Sequence, residues 1–241
     1  MLHLIISTQS FVFLMLASFL AGFLDAIAGG GGLITIPAYL ISGLTVHMVY
    51  ACNKFASSCG TAIATLRYYL NKMVDIPVGL LAAAGAFVCS AVAAKIVLVL
   101  DAHTLKTMLL VILPVAAVIT LINKNMGNDN HSDRFGKRKK YAFSVLIGGL
   151  IGLYDGLFGP GTGTFALIAF CLILKYDMRT ATGKAKFLNL ASNCASLAVL
   201  NICGNYAGAG VAIKKGAAVI RKMLIVVIVL LFIKVIYDMF F

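Results

Sequence analysis

Two aspartates in apolar stretches of the chain, Asp25 and Asp155, are each followed by a run of glycines. The two runs share one offset, since 155 − 25, 159 − 29 and 161 − 31 all equal 130. A helix that begins at such a break has unpaired N–H groups at its positive end, and glycine lets a ligand approach them closely. The pattern predicts a small-anion site at two half-helices, although close helix packing also explains glycine runs. The predicted contacts are Gly29, Gly30, Gly31, Gly32, Gly159, Gly161 and Gly163.

Two lysines follow the breaks at the same offset, because 184 − 54 equals 130. Lys54 and Lys184 are therefore predicted to neutralise an anionic solute with their compact positive charges. The alternative is that both are lysines whose ammonium groups reach toward a membrane surface. Lys186 has no counterpart and is interpreted as surface-directed or paired. Asn53 and Asn189 lie in polar stripes that either line a solute path or hydrogen-bond helices together.

Asp25 and Asp155 have two possible roles that the sequence leaves open. An acid inside a membrane segment is energetically costly and therefore indicates function. One role is coupling, with the carboxyl protonated in one transport state and ionised in another. The other role is structural, since a carboxylate caps the free N–H groups of a nearby helix start. An ionised aspartate would repel an anion, so capping or protonation is favoured over direct contact with the solute.

The elements that must position these residues are membrane helices. The chain has 241 residues, of which 61% are hydrophobic, and its mean hydropathy is +1.01. Apolar runs of about 20 residues are typical of transmembrane helices. Residues 1–20 lack a basic leader pattern, so a first membrane helix is expected there. The sequence predicts an all-α, polytopic membrane protein with spans at 10–28, 50–70, 77–100, 105–123, 141–158, 180–203 and 222–241, and half-spans at 33–44 and 164–174.

The spans are predicted to form two inverted repeats with broken helices. The first repeat is 1–122 and the second is 141–241, with a basic cytoplasmic loop, 123–140, between them. Loop 43–47 has no Lys or Arg, whereas its counterpart 175–179 has both. Because Lys and Arg favour the cytoplasmic side, this swap indicates opposite orientations in the membrane. Inverted repeats with broken helices are a common transporter construction.

The second repeat is predicted to be about 15 residues short after Asn205. Before that residue the repeats align at an offset of 130, but Met108 then aligns with Met223 at 223 − 108 = 115. The helix that corresponds to 77–100 is therefore either largely missing or replaced by a short re-entrant path.

Several classes of function are disfavoured by the same residues. The net charge of +12 lies mostly at helix ends and short loops, so it indicates membrane orientation rather than nucleic-acid binding. The six cysteines form no CxxC or Cys/His ligand spacing. No phosphate-binding GxxxxGK[ST] sequence and no nucleophile–base set is present. We expect no cofactor, no metal and no enzyme activity.

The broken helices resemble those of the TauE/SafE family, the sulfite exporter family. The resemblance rests on GFLDAIAGGGGLITIPAYL and ACNKFASSCGTAIATLRY in the first repeat, and on GLYDGLFGPGTGTF and TATGKAKFLNLASN in the second. It covers about residues 12 to 236 and implies an inner-membrane carrier of small sulfur-containing anions, coupled to an ion gradient. The residues that match the family motifs are Asp25, Gly29–Gly32, Asn53, Lys54, Asp155, Gly159, Pro160, Gly161, Gly163, Lys184 and Asn189.

The function predicted from these observations is secondary transport of a small anion, such as sulfite or an organosulfonate, across a bacterial inner membrane. Its expected partners are the anionic solute, membrane lipid and a coupling proton or cation, with no nucleic acid. One repeat would rock against the other around the two glycine breaks. The alternatives are an anion channel and a degenerate, non-transporting family member, and the short second repeat favours the latter.

Overall fold

The computed structural model of the protein describes residues 8–122 and 129–199, and this part of the chain is helical without strands. The predicted all-α class is confirmed. The helices are α1 (Thr8–Ala28), α2 (Gly32–Ile41), α3 (Val46–Leu70), α4 (Ile76–Val99), α5 (Ala102–Ile122), α6 (Lys137–Leu157), α7 (Thr162–Ile173) and α8 (178–199), with a 3₁₀ turn at Ser132–Arg134.

The two predicted half-spans are short helices, α2 and α7, and each follows a glycine break. Several long helices begin earlier than hydropathy predicts. Helix α6 starts at Lys137 instead of residue 141 because its first turn is Lys137–Lys140, which a hydropathy criterion excludes. The predicted span 222–241 and the shortening after Asn205 lie outside the described residues.

By length and composition, two of the described helices are apolar enough to cross a membrane. They are Ser10–Ala28 within α1, with a mean hydropathy of 2.2, and α4, with 2.1. Helices α2 and α7 are apolar but shorter. Large apolar side chains face outward, as at Phe19, which is 71% exposed, whereas the lysines of the breaks are buried. Apolar surface around a polar interior is the arrangement expected in a bilayer.

Each half-helix packs in its own apolar cluster. Ile36 of α2 is buried with Val49 of α3 and with Leu105 of α5. Phe170 of α7 is buried in a second cluster, which includes Leu188 of α8. Burying an aliphatic or aromatic side chain contributes about 1.5–3 kcal/mol, so these clusters hold α2 and α7 in place.

Helices α4 and α6 make an extensive contact through small residues. A Cβ atom on Gly148 would lie 2.0 Å from the carbonyl oxygen of Ala82, and one on Gly152 would lie 2.5 Å from Ala86 Cα. These glycines are four residues apart, so they share one face of α6. Small residues at this spacing let membrane helices approach closely. The contact holds the C-terminal end of α6, where Asp155 lies.

Helix α8 begins at a cap formed by Asp177. Its carboxylate accepts backbone hydrogen bonds from Arg179 at 3.0 Å and from Thr180 at 3.1 Å. Burial raises the pKa of Asp177, but the hydrogen bonds from Thr180 and Arg179 and the charge of Lys184 together hold the pKa below its ordinary value. The neighbouring Tyr176 hydroxyl donates to Asp75 Oδ2 at 2.8 Å, at the start of α4. This end of α8 is therefore fixed against α4.

Candidate functional site

The first break separates α1 from α2. Gly29 has φ +80° and donates its N–H to Asp25 O at 2.8 Å, which ends α1. Most residues avoid this left-handed backbone region, and glycine occupies it without a steric penalty. The Asp25 carboxylate turns toward the break, and its Oδ1 accepts a long hydrogen bond of 3.4 Å from the backbone N–H of Gly31. The Asp25 side chain therefore reaches the N-terminal end of α2.

The second break separates α6 from α7 and contains two glycines with positive φ, Gly159 at +91° and Gly161 at +77°. The Thr162 hydroxyl lies 2.7 Å from Asp155 Oδ1 and 2.8 Å from Gly159 O. The Tyr154 hydroxyl donates to Pro160 O at 2.6 Å and closes the loop from the other side. The second break is therefore held by side chains on both flanks.

The two breaks touch each other directly. A Cβ atom on Gly29 would lie 2.3 Å from the carbonyl carbon of Gly163, and one on Gly163 would lie 2.5 Å from Gly29 Cα. The Thr164 hydroxyl donates to Ala28 O at 2.8 Å across the contact. The two glycine runs, 130 residues apart in sequence, therefore meet at one place in the fold.

Two buried ion pairs join the N-terminal half of the described chain to its C-terminal half. Lys54 Nζ of α3 lies 2.6 Å from Asp155 Oδ2, and both side chains are 2% exposed. Lys186 Nζ of α8 lies 2.9 Å from Asp25 Oδ2, with side-chain exposures of 1% and 16%. Each lysine also donates to the backbone carbonyl of its partner aspartate. The aspartate of each break is thus neutralised by a lysine from the half of the chain that holds the other break.

The Asp155 pair lies in a denser polar shell than the Asp25 pair. Ser192 of α8 donates to Asp155 Oδ2 at 2.6 Å, in addition to Lys54 and Thr162. A buried charge is stable only when such partners satisfy it. A Cβ atom on Gly159 would lie 3.7 Å from Lys54 Nζ, so the glycine keeps the backbone close to this ammonium group.

The asparagines predicted for the site are buried in hydrogen-bonded networks. The Asn53 Oδ1 atom accepts from the Thr35 hydroxyl of α2 at 2.7 Å. Asn189 Oδ1 accepts from Asn193 Nδ2 at 3.0 Å, and Asn189 O lies 3.1 Å from the Ser192 hydroxyl. Asn53 is therefore next to the first half-helix, and Asn189 reaches Asp155 only through Ser192. The second polar stripe also bonds helices together, since the Ser196 and Ser90 hydroxyls lie 2.7 Å apart.

The structure places Lys184 in a different environment from Lys54. Lys184 Nζ lies 3.6 Å from the centre of the Tyr176 ring and donates to Thr180 O at 3.2 Å. Residues two apart on an α-helix point about 200° apart, so Lys184 and Lys186 occupy opposite sides of α8. Lys186, which sequence reasoning left without a role at the site, is the lysine that contacts Asp25. The signal that finds it is an offset of 132, since 186 − 54 = 132.

Asp25, Asp155, Asn53, Lys54 and the glycines of both runs lie around the touching breaks. Thr35, Thr162 and Thr164 also belong to this region, although their hydroxyls have no distinctive spacing in sequence. Within residues 8–122 and 129–199 no group of three or more His, Cys, Asp or Glu could hold a metal ion.

The arrangement is suited to exchanging ionic partners. Each ammonium group is held by one carboxylate and one carbonyl oxygen, and each lies beside a helix start. If an aspartate is neutralised or drawn away, its lysine becomes an unpaired buried cation, which is costly until an anion replaces the carboxylate. The protein's own carboxylates therefore occupy the positions beside the two ammonium groups.

Comparison with known proteins gives one family and several relatives. The family model described as Sulfite exporter TauE/SafE matches residues 14–235. A similar protein of Sinorhizobium sp., Probable membrane transporter protein ORF9, is 37% identical over 94% of this chain and 92% of its own length. Probable membrane transporter protein YfcA of Escherichia coli K12 is 31% identical over 93% and 89%, and a Probable membrane transporter protein of Haemophilus influenzae Rd is 30% identical over 93% and 94%. No solved structure matches the chain.

Proposed function

Because this chain belongs to the sulfite exporter TauE/SafE family, we propose that it is a secondary transporter of a small anion of the sulfite or organosulfonate class. The family and its relatives support a multi-pass membrane transporter of the inner membrane. We propose in addition that the solute is an anion and that an ion gradient drives its transport.

One observation supports the anionic solute most directly, and it is the crossed pair of buried lysines at the touching breaks. Lys54 and Lys186 are each within 3 Å of a carboxylate, at 2.6 Å and 2.9 Å. A carboxylate is itself a small anion, so these lysines already bind the chemical group that a sulfite or sulfonate resembles. The N–H groups at the starts of α2 and α7 would add donors with the positive ends of two helix dipoles.

In the proposed mechanism, the solute competes with Asp155 and Asp25 for their lysines. An anion reaches Lys54 only when the Asp155 carboxylate is neutralised or turned away, because two negative charges would otherwise share one buried cation. The crossed pairs join the two repeats, so exchanging a carboxylate for a solute changes the contact between them. Rocking of the repeats around the two breaks would then carry the solute across. The inverted orientation of the repeats remains a prediction within this mechanism.

Flux in proteoliposomes tests the proposed function. Purified full-length protein is reconstituted, and entry of labelled sulfite or methanesulfonate is measured with and without unlabelled anion inside. A carrier alternates between its two sides, so saturable uptake accelerated by internal anion is expected. Uptake that does not saturate and is not accelerated would indicate a channel. No uptake of either anion by folded protein would contradict the proposal.

The two neighbouring lysines of α8 give a matched comparison. We expect Lys186→Met to reduce anion uptake by about tenfold or more, because loss of a charged hydrogen bond costs about 1.5–3 kcal/mol. Lys184→Met should mainly lower the melting temperature, since it removes a cation–π contact of about 0.5–2 kcal/mol. Uptake per folded protein and melting temperature are measured for both variants. A larger transport loss in Lys184→Met would instead support the assignment of Lys184 to the solute.

A further inference from the structure

A small cavity lies beside Asp25, on the side of the first break that faces α3. Its volume is about 60 Å³, room for one ion with a water molecule. Helix α1, the break, the start of α2 and the middle of α3 line it. The polar side chains among its walls are Ser18, Asp25, Thr35, Ser57 and Thr61. The residues that line the cavity therefore include one carboxylate and four hydroxyl side chains.

Thr61 is the residue that indicates a missing ligand. It is 1% exposed, and its Oγ1 atom is buried without a hydrogen-bond partner. A buried hydroxyl without a hydrogen-bond partner costs free energy, so native structures seldom contain one. Thr35 adds an available oxygen, because its hydroxyl proton is directed to Asn53 at 2.7 Å and its remaining lone pair is free to accept.

We infer that this cavity binds a sodium ion. Carboxylate and hydroxyl oxygens are the ligands that hard cations prefer, and an anion would meet the Asp25 carboxylate without a free cation to offset it. A single carboxylate already paired with Lys186 suits a monovalent ion better than a divalent one.

The site gives the proposed transporter a means of coupling, and this step rests on the proposed function. A sodium ion beside Asp25 Oδ1 attracts the carboxylate that otherwise holds Lys186 at 2.9 Å. Lys186 then becomes available to an anion at the touching breaks. Such coupling is reciprocal, so sodium must tighten anion binding by the same factor as the anion tightens sodium binding.

Binding is tested on purified full-length protein, apart from transport. The melting temperature is followed while NaCl replaces choline chloride at constant chloride concentration, because a ligand of the folded state stabilises it. We expect sodium to raise the melting temperature of the native protein. Thr61→Val removes the unpartnered hydroxyl and should raise the sodium concentration for half of this effect by at least about tenfold.

Two control variants distinguish loss of the Thr61 oxygen from a general effect of substitution on α3. Thr65 is also buried on α3 with an unpartnered hydroxyl, but it does not line the cavity, so Thr65→Val should respond to sodium as the native protein does. Thr61→Ser keeps an oxygen and should retain most of the response. Equal sodium responses in Thr61→Val and Thr65→Val, or no response in the native protein, would overturn the inference.

The outcomes also separate this inference from the proposed function. A sodium response in a protein that moves no sulfite or methanesulfonate would keep the sodium site and contradict anion transport. Saturable anion uptake without any sodium response would keep the transporter and overturn the site.

Discussion

Replacing Lys54 with methionine is expected to abolish anion transport and to destabilise the protein. The change removes the cation that Asp155 contacts at 2.6 Å and leaves a carboxylate with a 2% exposed side chain unpaired. Removing one partner of a buried ion pair costs about 3–5 kcal/mol. Uptake per folded protein and melting temperature measure the two effects.

The double variant Lys54→Met with Asp155→Asn separates charge balance from transport. It removes both buried charges, and exchanging a buried pair for neutral groups of similar volume is often neutral for stability. We therefore expect its melting temperature to recover toward the native value while uptake stays absent. Near-native uptake by the double variant would exclude Lys54 from the solute site, whatever its effect on stability.

The single variant Asp155→Asn tests whether Asp155 and the solute compete for Lys54. It leaves Lys54 as a buried cation with only hydrogen-bonding partners, so a solute anion should stabilise this variant more than it stabilises the native protein. The increase in melting temperature on adding sulfite measures this difference. An equal sulfite effect in both proteins would contradict competition between Asp155 and the solute.

Much of the site could be predicted because glycine and buried charge leave strong signals in an apolar sequence. The breaks at Gly29 and Gly159 required glycine for their positive φ, and the shared offset of 130 identified them as a pair. Asp25 and Asp155 were evident because a carboxylate is costly in a membrane segment. The sequence also predicted α2 and α7 as short helices from the length of their apolar runs.

The partners of these residues could not be predicted, since they depend on how helices cross. An ungapped alignment matches Lys54 with Lys184, but the register of α8 brings Lys186 to Asp25. A shift of two residues turns a helical side chain by about 200°, so a small alignment error reverses the face. The unpartnered Thr61 hydroxyl is likewise invisible in sequence, because threonine is common in helices and its partner is set by tertiary packing.

Adding a single methyl group where the breaks touch should stop transport as completely as removing a charge. In Gly163→Ala the new Cβ atom would lie 2.5 Å from Gly29 Cα and 2.9 Å from Gly29 O. Both are backbone atoms, so the breaks must separate, and overpacking of this kind costs about 1–3 kcal/mol. We expect uptake to fall to background and the melting temperature to drop, both measured on purified protein.

Two other glycines separate the steric effect from backbone strain. Gly29→Ala combines a contact of 2.3 Å with φ +80°, whereas Gly43 has φ +84° and open space around its Cβ position. Gly43→Ala should therefore show strain alone, about 1–2 kcal/mol, and transport normally once folded. If Gly163→Ala also transports normally, the touching breaks are a passive packing contact, and the solute site must be sought away from them. If only the two variants at the breaks lose transport, close approach of the two breaks is itself required for the solute to move.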